Sequence, residues 1–464
     1  MVAADYEKWP QPIDLCQEMP ISGLQEMRKG ALMELDKKRL GVRLKQYLDS
    51  NVEFADLDGG GLKLNGGRFD ARQARKKILK AEKYNPDKIS RYSLYPFDVR
   101  WAYHSNVRPL WNEPRPALAA QAWDGNTFFV VRMFAERPHE NAPLTVSTVL
   151  PDYHLLRPNA VAIPFRVNYE LNSDDGHHGK FIGRADAPSG IKANLSQACR
   201  EYLQNLGMPD PDKALDSASA VWLNALAIGY APFYLRENAD GVRSDWPRIP
   251  LPGAKDALVN SAALGGELAQ LLNTEVDVKS VTTGEIRSEL SAIGNICAAT
   301  GGAVNPAKDF TITAGWGHPG KDGVTMPGKG KLIERDYAPE ERTLIARGAA
   351  KLDLDLEAAM VVLGDKTYDV YLNDRAYWKN IPALVWDYTI GGYQVMKKWL
   401  SYRENDMLGR AITLQEVDYV RDMARRIAAI CLLQPRLDKN YAAVRSSTYC
   451  WPTPASKKVS IVDV

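Results

Sequence analysis

An α+β fold is what this sequence predicts, with β-rich and helical portions interleaved in at least two lobes and a helical C-terminus. Three observations carry that expectation. The chain has 464 residues, and single hydrophobic cores rarely grow past roughly 250–300 residues. Short apolar runs broken by Pro, Asn and Asp fill Ser90 to about Tyr169, the texture of strands. Apolar residues at helical spacing recur on either side of that stretch. Hydrophobic residues make up 45% and charged residues 25% of the chain, which excludes a wholly disordered or fibrous protein.

The elements follow in order. Glu34 to Asp49 has helical spacing, carried by Leu35, Leu40, Leu44 and Leu48. Asp58 to Gly67 is glycine-rich without the GxGxxG order, and reads as a flexible linker. Asp70 is placed to cap a helix running to about Tyr84. On it Arg72, Lys76, Lys80 and Lys83 share one face, a stripe that fits a phosphate backbone or a plainly solvated surface. Residues 1–89 thus form an N-terminal helical linker segment with a basic helix.

Residues 90–190 form the β-rich part, with Thr127–Arg132 and Ala160–Phe165 as strands and Asn172–Gly179 as a polar loop. Residues 191–300 are mainly helical, interrupted at Trp246–Pro252. Residues 301–464 hold a β-hairpin segment with the glycine-rich loop Gly315–Gly323, then helices. Thr413 and Glu416 make a capping box, and behind it Val417, Val420, Ala424, Ile427 and Cys431 form a stripe expected to be buried. No internal repeat is present.

The formal net charge is only +2, so the balance alone announces no polyanionic partner. Between Lys63 and Arg115, however, thirteen Lys or Arg stand against five Asp or Glu, an asymmetry suited to a phosphate-facing surface. The five cysteines lie far apart without a CxxC pair, against a disulfide framework and a Cys-rich zinc site. The first residues lack a signal core, and no apolar run is long enough to span a bilayer. A cytoplasmic protein without a membrane partner is expected.

Catalytic motifs are missing. The sequence has no Asn/Asp-Pro-Pro-aromatic loop, no GxxxxGK[ST] phosphate cradle, no GxSxG elbow and no HExxH helix. His177 and His178 lack the further ligands a zinc site requires, and read as a solvated loop; no metal is expected. Trp316 and His318 sit at a loop tip, where a buried Trp anchoring the loop is favoured over an exposed aromatic meeting a partner.

The segment Arg91–Tyr103 carries Tyr95, Pro96, Phe97, Asp98, Arg100, Trp101 and Tyr103. It resembles a hallmark of the C-terminal target-recognition region of Type ISP restriction-modification enzymes and related long adenine-specific DNA methyltransferases. An Arg usual before the Pro is absent, since Tyr95 directly precedes Pro96. Further matches follow in family order: Ala231–Tyr234, Trp246–Pro250, and Val385–Leu400 with its Gly-Gly-Tyr turn entering a Lys-Lys-Trp-Leu helix. Trp9–Asp49 resembles the segment that links catalytic and specificity parts.

The resemblance implies a module that reads an asymmetric double-stranded DNA sequence for an adenine-N6 methyltransferase, within restriction-modification and phage defence. The chain itself would hold no cofactor. The methyltransferase domain or subunit, with a nuclease and translocase in some relatives, would use S-adenosylmethionine. Arg91, Arg100, Arg108 and Arg115 are then candidates for phosphate or guanine contacts, and Trp101, Tyr103 and Trp111 for stacking or wedging. Lys76 and Lys80, with Lys397, Lys398 and Arg403, are candidates for backbone contacts. Against this, Tyr95, Phe97 and Trp101 read as core aromatics and Asp98 with Arg100 as a structural ion pair; that reading is favoured for the motif itself. Alternative functions are a free-standing nuclease with an unrecognised site and a scaffold subunit of a defence complex.

Overall fold

Three four-stranded sheets and a long C-terminal helix organise the chain. The computed structural model describes residues 2–57, 60–66, 69–134, 140–157, 159–172, 189–320 and 324–452. His177, His178 and the loop around them lie outside the described residues, as does the tip of the glycine-rich loop at 321–323. The α+β expectation holds.

The first sheet joins β1 (Ile21–Ser22), β5 (Phe128–Val131), β6 (Leu144–Ser147) and β8 (Val161–Pro164) in the order β1-β8-β5-β6. Every residue of β5, β6 and β8 is buried, as the continuous apolar runs of β5 and β8 demand; in β6 burial extends to Thr145 and Ser147. The second sheet joins β2 (Met33–Glu34), β3 (Ile89–Tyr95), β4 (Asp98–Tyr103) and β7 (Leu150–Pro151) in the order β2-β4-β3-β7. Phe97 turns the β3–β4 hairpin with a φ of 59°. The third sheet joins β9 (Asn295–Ala298), β10 (Leu332–Arg335), β11 (Thr367–Tyr371) and β12 (Ala376–Pro382) in the order β9-β12-β11-β10.

Two helices of the N-terminal segment, α1 (Lys37–Tyr47) and α2 (Ala71–Ala81), lie between β2 and β3 of the second sheet in the chain. Asp36 caps α1, so the helix starts three residues after Glu34, which belongs to β2. Asp70 caps α2 through Gln73 N, but the helix ends at Ala81, short of Tyr84. The glycine-rich segment between them is no loose linker where it is described. Leu62 is fully buried, and a Cβ at Gly61 would lie 1.9 Å from the Arg28 carbonyl oxygen.

In the helical part, α3 (Leu215–Gly229) crosses α4 (Lys255–Leu272) closely. Trp222 of α3 lies under the first sheet, 5.3 Å from Phe129 and 6.1 Å from Phe165 between ring centres. Gly265 is the point of approach: a Cβ there would lie 1.9 Å from the Leu223 carbonyl oxygen. Gly265→Ala is therefore expected to destabilise despite alanine's helix-propensity gain of about 1 kcal/mol. Overpacking of about 1–3 kcal/mol outweighs it, and the midpoint of urea unfolding measures the net loss.

Towards the C-terminus lie α5 (Val395–Ser401) and, beyond a short turn of helix at Asn405–Leu408, α6 (Leu414–Ser446). Thr413 and Glu416 form the expected capping box, and Val417, Val420, Ala424, Ile427 and Cys431 are all buried. Arg426 of α6 donates to the carbonyls of Gln270, Leu271, Asn273 and Val276, closing the C-terminal end of α4. The Gly315 loop is held by Trp316, which is fully buried and donates from Nε1 to the Tyr371 carbonyl at 2.8 Å. Among the described residues no helix is long and apolar enough to cross a membrane.

Candidate nucleic-acid interface

The apolar periodicity of α1 and α2 puts Leu40, Leu44 and Tyr47, and Ala71, Ala74 and Ile78, into the core. What remains outside is mostly basic, with Val42, Gln46 and Gln73 among it. Arg75 docks α2 onto the end of α1, donating to the carbonyls of Tyr47 at 2.9 Å and Asp49 at 2.6 Å. Lys37, Lys38, Arg39 and Lys45 of α1 stay exposed, as do Arg72, Lys76, Lys77 and Lys80 of α2 and Lys83 beyond it. Between Lys37 and Lys83 there are thirteen Lys or Arg against six Asp or Glu. Among the described residues none of these nine exposed side chains has a carboxylate in ion-pair range. A cationic surface without internal counter-charges is the electrostatic footprint of a polyanion-binding face.

This ridge continues onto the second sheet. Arg91 and Trp101 pair across β3 and β4. The Trp101 ring is flanked by the Lys37 ammonium at 4.7 Å and the Arg91 guanidinium at 4.8 Å. Arg91 also makes a bidentate bond to Glu275 at 2.6 and 2.8 Å. Beside them opens a cleft of about 760 Å³, bounded by Ala81, Lys88, Arg91, Ser105 and Trp123. Its floor is rigid. The buried Glu82 carboxylate accepts from Tyr103 Oη at 2.9 Å, Ser105 Oγ at 2.6 Å and Lys88 Nζ at 2.7 Å.

The two sequence signatures meet at the β3–β4 turn. Asp98 from the first is buried and accepts from Arg100 at 2.7 Å and from Arg403, three residues beyond the second, at 2.7 and 3.1 Å. Burial works against its ionisation, but the two guanidiniums outweigh that and hold its carboxyl well below the usual carboxylate range. Above this network Lys398 lies over three tyrosine rings: Tyr95 at 4.2 Å, Tyr402 at 5.0 Å and Tyr393 at 5.2 Å. Burial pushes its ammonium down to about 8; Arg100 and Arg157 push the same way and Asp98 opposes them.

The structure thus divides the candidates. Lys76 and Lys80 are exposed on the ridge, and Arg91 and Trp101 adjoin it. Arg108 is 55% exposed and bonds Glu113 at 2.5 Å. Lys397 and Lys398 are half-buried. Four others are interior. Tyr103 and Trp111 are fully buried, with Trp111 Nε1 donating to the Tyr103 carbonyl at 2.8 Å. Arg403 is 2% exposed, and Arg115, also buried, pairs with Glu113. Arg100 faces Asp98 and the Tyr402 ring. These five serve packing and charge balance here. Sequence reasoning missed Lys37, Lys38, Arg39 and Lys45 as site residues, although the run Lys37–Arg39 at the start of a helix was a usable signal. It also missed Arg157.

The sequence profile of the Type ISP C-terminal specificity domain matches residues 22–429. No curated protein matches the chain. Among solved structures, a DrdV–DNA complex is similar over 91% of this chain and 35% of that one, with 14% identity and a TM-score of 0.53. A nuclease-deletion mutant of the Type ISP restriction-modification enzyme LlaGI, in complex with a DNA substrate mimic, is similar over 95% of this chain and 34% of that one. Its identity is 12% and its TM-score 0.51. The ATP-dependent Type ISP enzyme LlaBIII bound to DNA gives 12% identity and a TM-score of 0.51, over 95% and 25% of the two chains. At these identities the likeness is one of fold, and the chain spans about a third or less of the proteins it matches. The profile covers most of the sequence, and with it the chain belongs to the family of Type ISP C-terminal specificity domains.

Proposed function

We propose that this chain binds double-stranded DNA and reads its sequence for a restriction-modification methyltransferase whose catalytic part lies outside these residues. The observation that carries the reading is the unneutralised basic ridge of α1 and α2 beside Trp101 and Arg91, on a chain of the specificity-domain family. Lys76 and Lys80, with Lys37, Lys38 and Arg39, contact phosphates and set the register of the duplex. Arg91 lines the cleft and Trp101 stands beside it, where a guanidinium and a ring face meet base edges or sugars. Arg108 is open to further contact.

The catalytic partner modifies adenine at N6 with S-adenosylmethionine, which is held there and assigned to no residue of this chain. A role in phage defence follows from that assembly. The solved relatives that share the fold are Type ISP enzymes or a DrdV complex with DNA, which supports the same reading.

Fluorescence anisotropy of the purified chain with a labelled duplex, across a salt series, tests it. Five or six phosphate contacts at about 0.9 each predict a slope of log K against log salt of roughly −5. Affinity that does not change with salt contradicts the assignment.

A further inference from the structure

The Lys398 ammonium sits in a half-buried aromatic cage. Its Nζ faces the Tyr95, Tyr393 and Tyr402 rings. Among the described residues it has neither a hydrogen bond nor a carboxylate in ion-pair range. Asp98, the carboxylate that acts on Lys398, and Asp152, which acts on the three tyrosines, are already committed. Asp98 holds Arg100 and Arg403, and Asp152 accepts from Tyr92 Oη at 2.7 Å and lies 2.9 Å from His154 Nδ1.

A second cation bears on the same place. Arg157 acts electrostatically on both Lys398 and Tyr393, and it too lacks a described acidic partner. Its backbone is fixed to the glycine turn ahead of Tyr393, where its amide donates to the Gly391 carbonyl at 3.0 Å. Gly391 has a φ of 52°, and a Cβ there would lie 2.5 Å from the Leu156 side chain. The turn is thereby pressed against the Arg157 segment.

The hydroxyls add donors. Tyr95 and Tyr402 bond each other at 3.0 Å through their hydroxyls, so one of the two O–H groups is left to point elsewhere. Lys398, Arg157 and the three tyrosines are all partly exposed. A partly desolvated cluster rich in donors and positive charge favours an anion with several acceptor oxygens. A phosphate group offers them in tetrahedral array, to an ammonium, a guanidinium and a phenol approaching from different sides.

We propose that Lys398, Arg157 and the surrounding tyrosine hydroxyls form a site for one phosphate group, filled by a phosphodiester of the bound duplex. The site rests on the DNA reading for its occupant, but its chemistry is common to free phosphate. The two sequence signatures, far apart in the chain, would then be joined to build one backbone contact.

The test compares K398M, which keeps an apolar stem in the cage, with K398R and R157Q, all in the full chain. In wild type the duplex affinity falls with salt; K398M and R157Q each reduce that slope by about 0.9, and affinity near 0.1 M salt drops about tenfold. Because both cations serve one phosphate, the double variant loses little more than either single one. K398R keeps the slope. R157Q, at a partly exposed position, decides the matter if K398M does not fold. Unchanged slopes in R157Q and K398M, with wild type binding normally, overturn the site and leave the DNA reading intact.

If wild type binds no duplex, the DNA reading fails, and the site is then read with inorganic phosphate. A saturable shift of the Lys398 side-chain NMR signal that R157Q abolishes supports a free-phosphate site. No shift overturns it.

Discussion

Asp98→Asn lowers the folding free energy by about 3–5 kcal/mol, the usual cost of removing one partner from a buried charge cluster. Arg100 and Arg403 would then face a neutral amide, with Arg403 almost fully buried beside the Trp399 ring at 4.2 Å. The loss falls on the contact that ties the β3–β4 turn to the segment after α5, so urea unfolding and near-ultraviolet circular dichroism both register it. The pH dependence carries a definite sign. The folded-state pKa of Asp98 is depressed, so its contribution is fully present above the unfolded value of about 3.9. It is lost as pH falls from there through the folded value. Wild type therefore loses stability in acid that the asparagine variant has already forfeited, and the two converge as pH drops below 4.

Charge reversal on the ridge has the opposite profile: a large effect on binding and almost none on folding. Lys76→Glu with Lys80→Glu removes two phosphate contacts, reducing the salt slope by about 2, and places two like charges against the backbone. Duplex affinity near 0.1 M salt is expected to fall by about 100-fold or more. Both lysines are exposed and have no carboxylate partner among the described residues, so stability changes by no more than about 0.5 kcal/mol. The loss is uniform across DNA sequences, since phosphate contacts position and do not specify. Anisotropy on matched and unrelated duplexes measures both quantities, and unchanged affinity removes the ridge from the interface.

Local signals were legible in the sequence. The caps at Asp70 and Thr413 act within one helical turn, and the stripe from Val417 to Cys431 follows from period alone. The burial of β5 and β8 was written in their unbroken apolar runs. Long-range pairing was not legible. The Asp98–Arg100 pair, two residues apart, was legible; Asp98 and Arg403 are 305 positions apart, and nothing local tells that Arg403 is interior because that carboxylate neutralises it. Tyr103 and Trp111 look like stacking residues until Glu82, from the chain just after α2, is seen taking the tyrosine hydroxyl.

The leucines of α1 defined its buried side and drew attention from Lys37, Lys38 and Arg39 on the other. The segment at Gly61 read as a linker because glycine signals flexibility in sequence. In the fold it marks an approach to Arg28 too close for any side chain.

Selection of bound duplexes from a randomised library by the purified chain, sequenced after rounds at low and moderate salt, is the most direct measurement of the central claim. Enrichment of one asymmetric motif, sharpened at the higher salt as non-specific contacts weaken, is the predicted result. Recovery of unselected sequences at both salts contradicts it, and would reduce this chain to a basic surface that holds DNA without reading it.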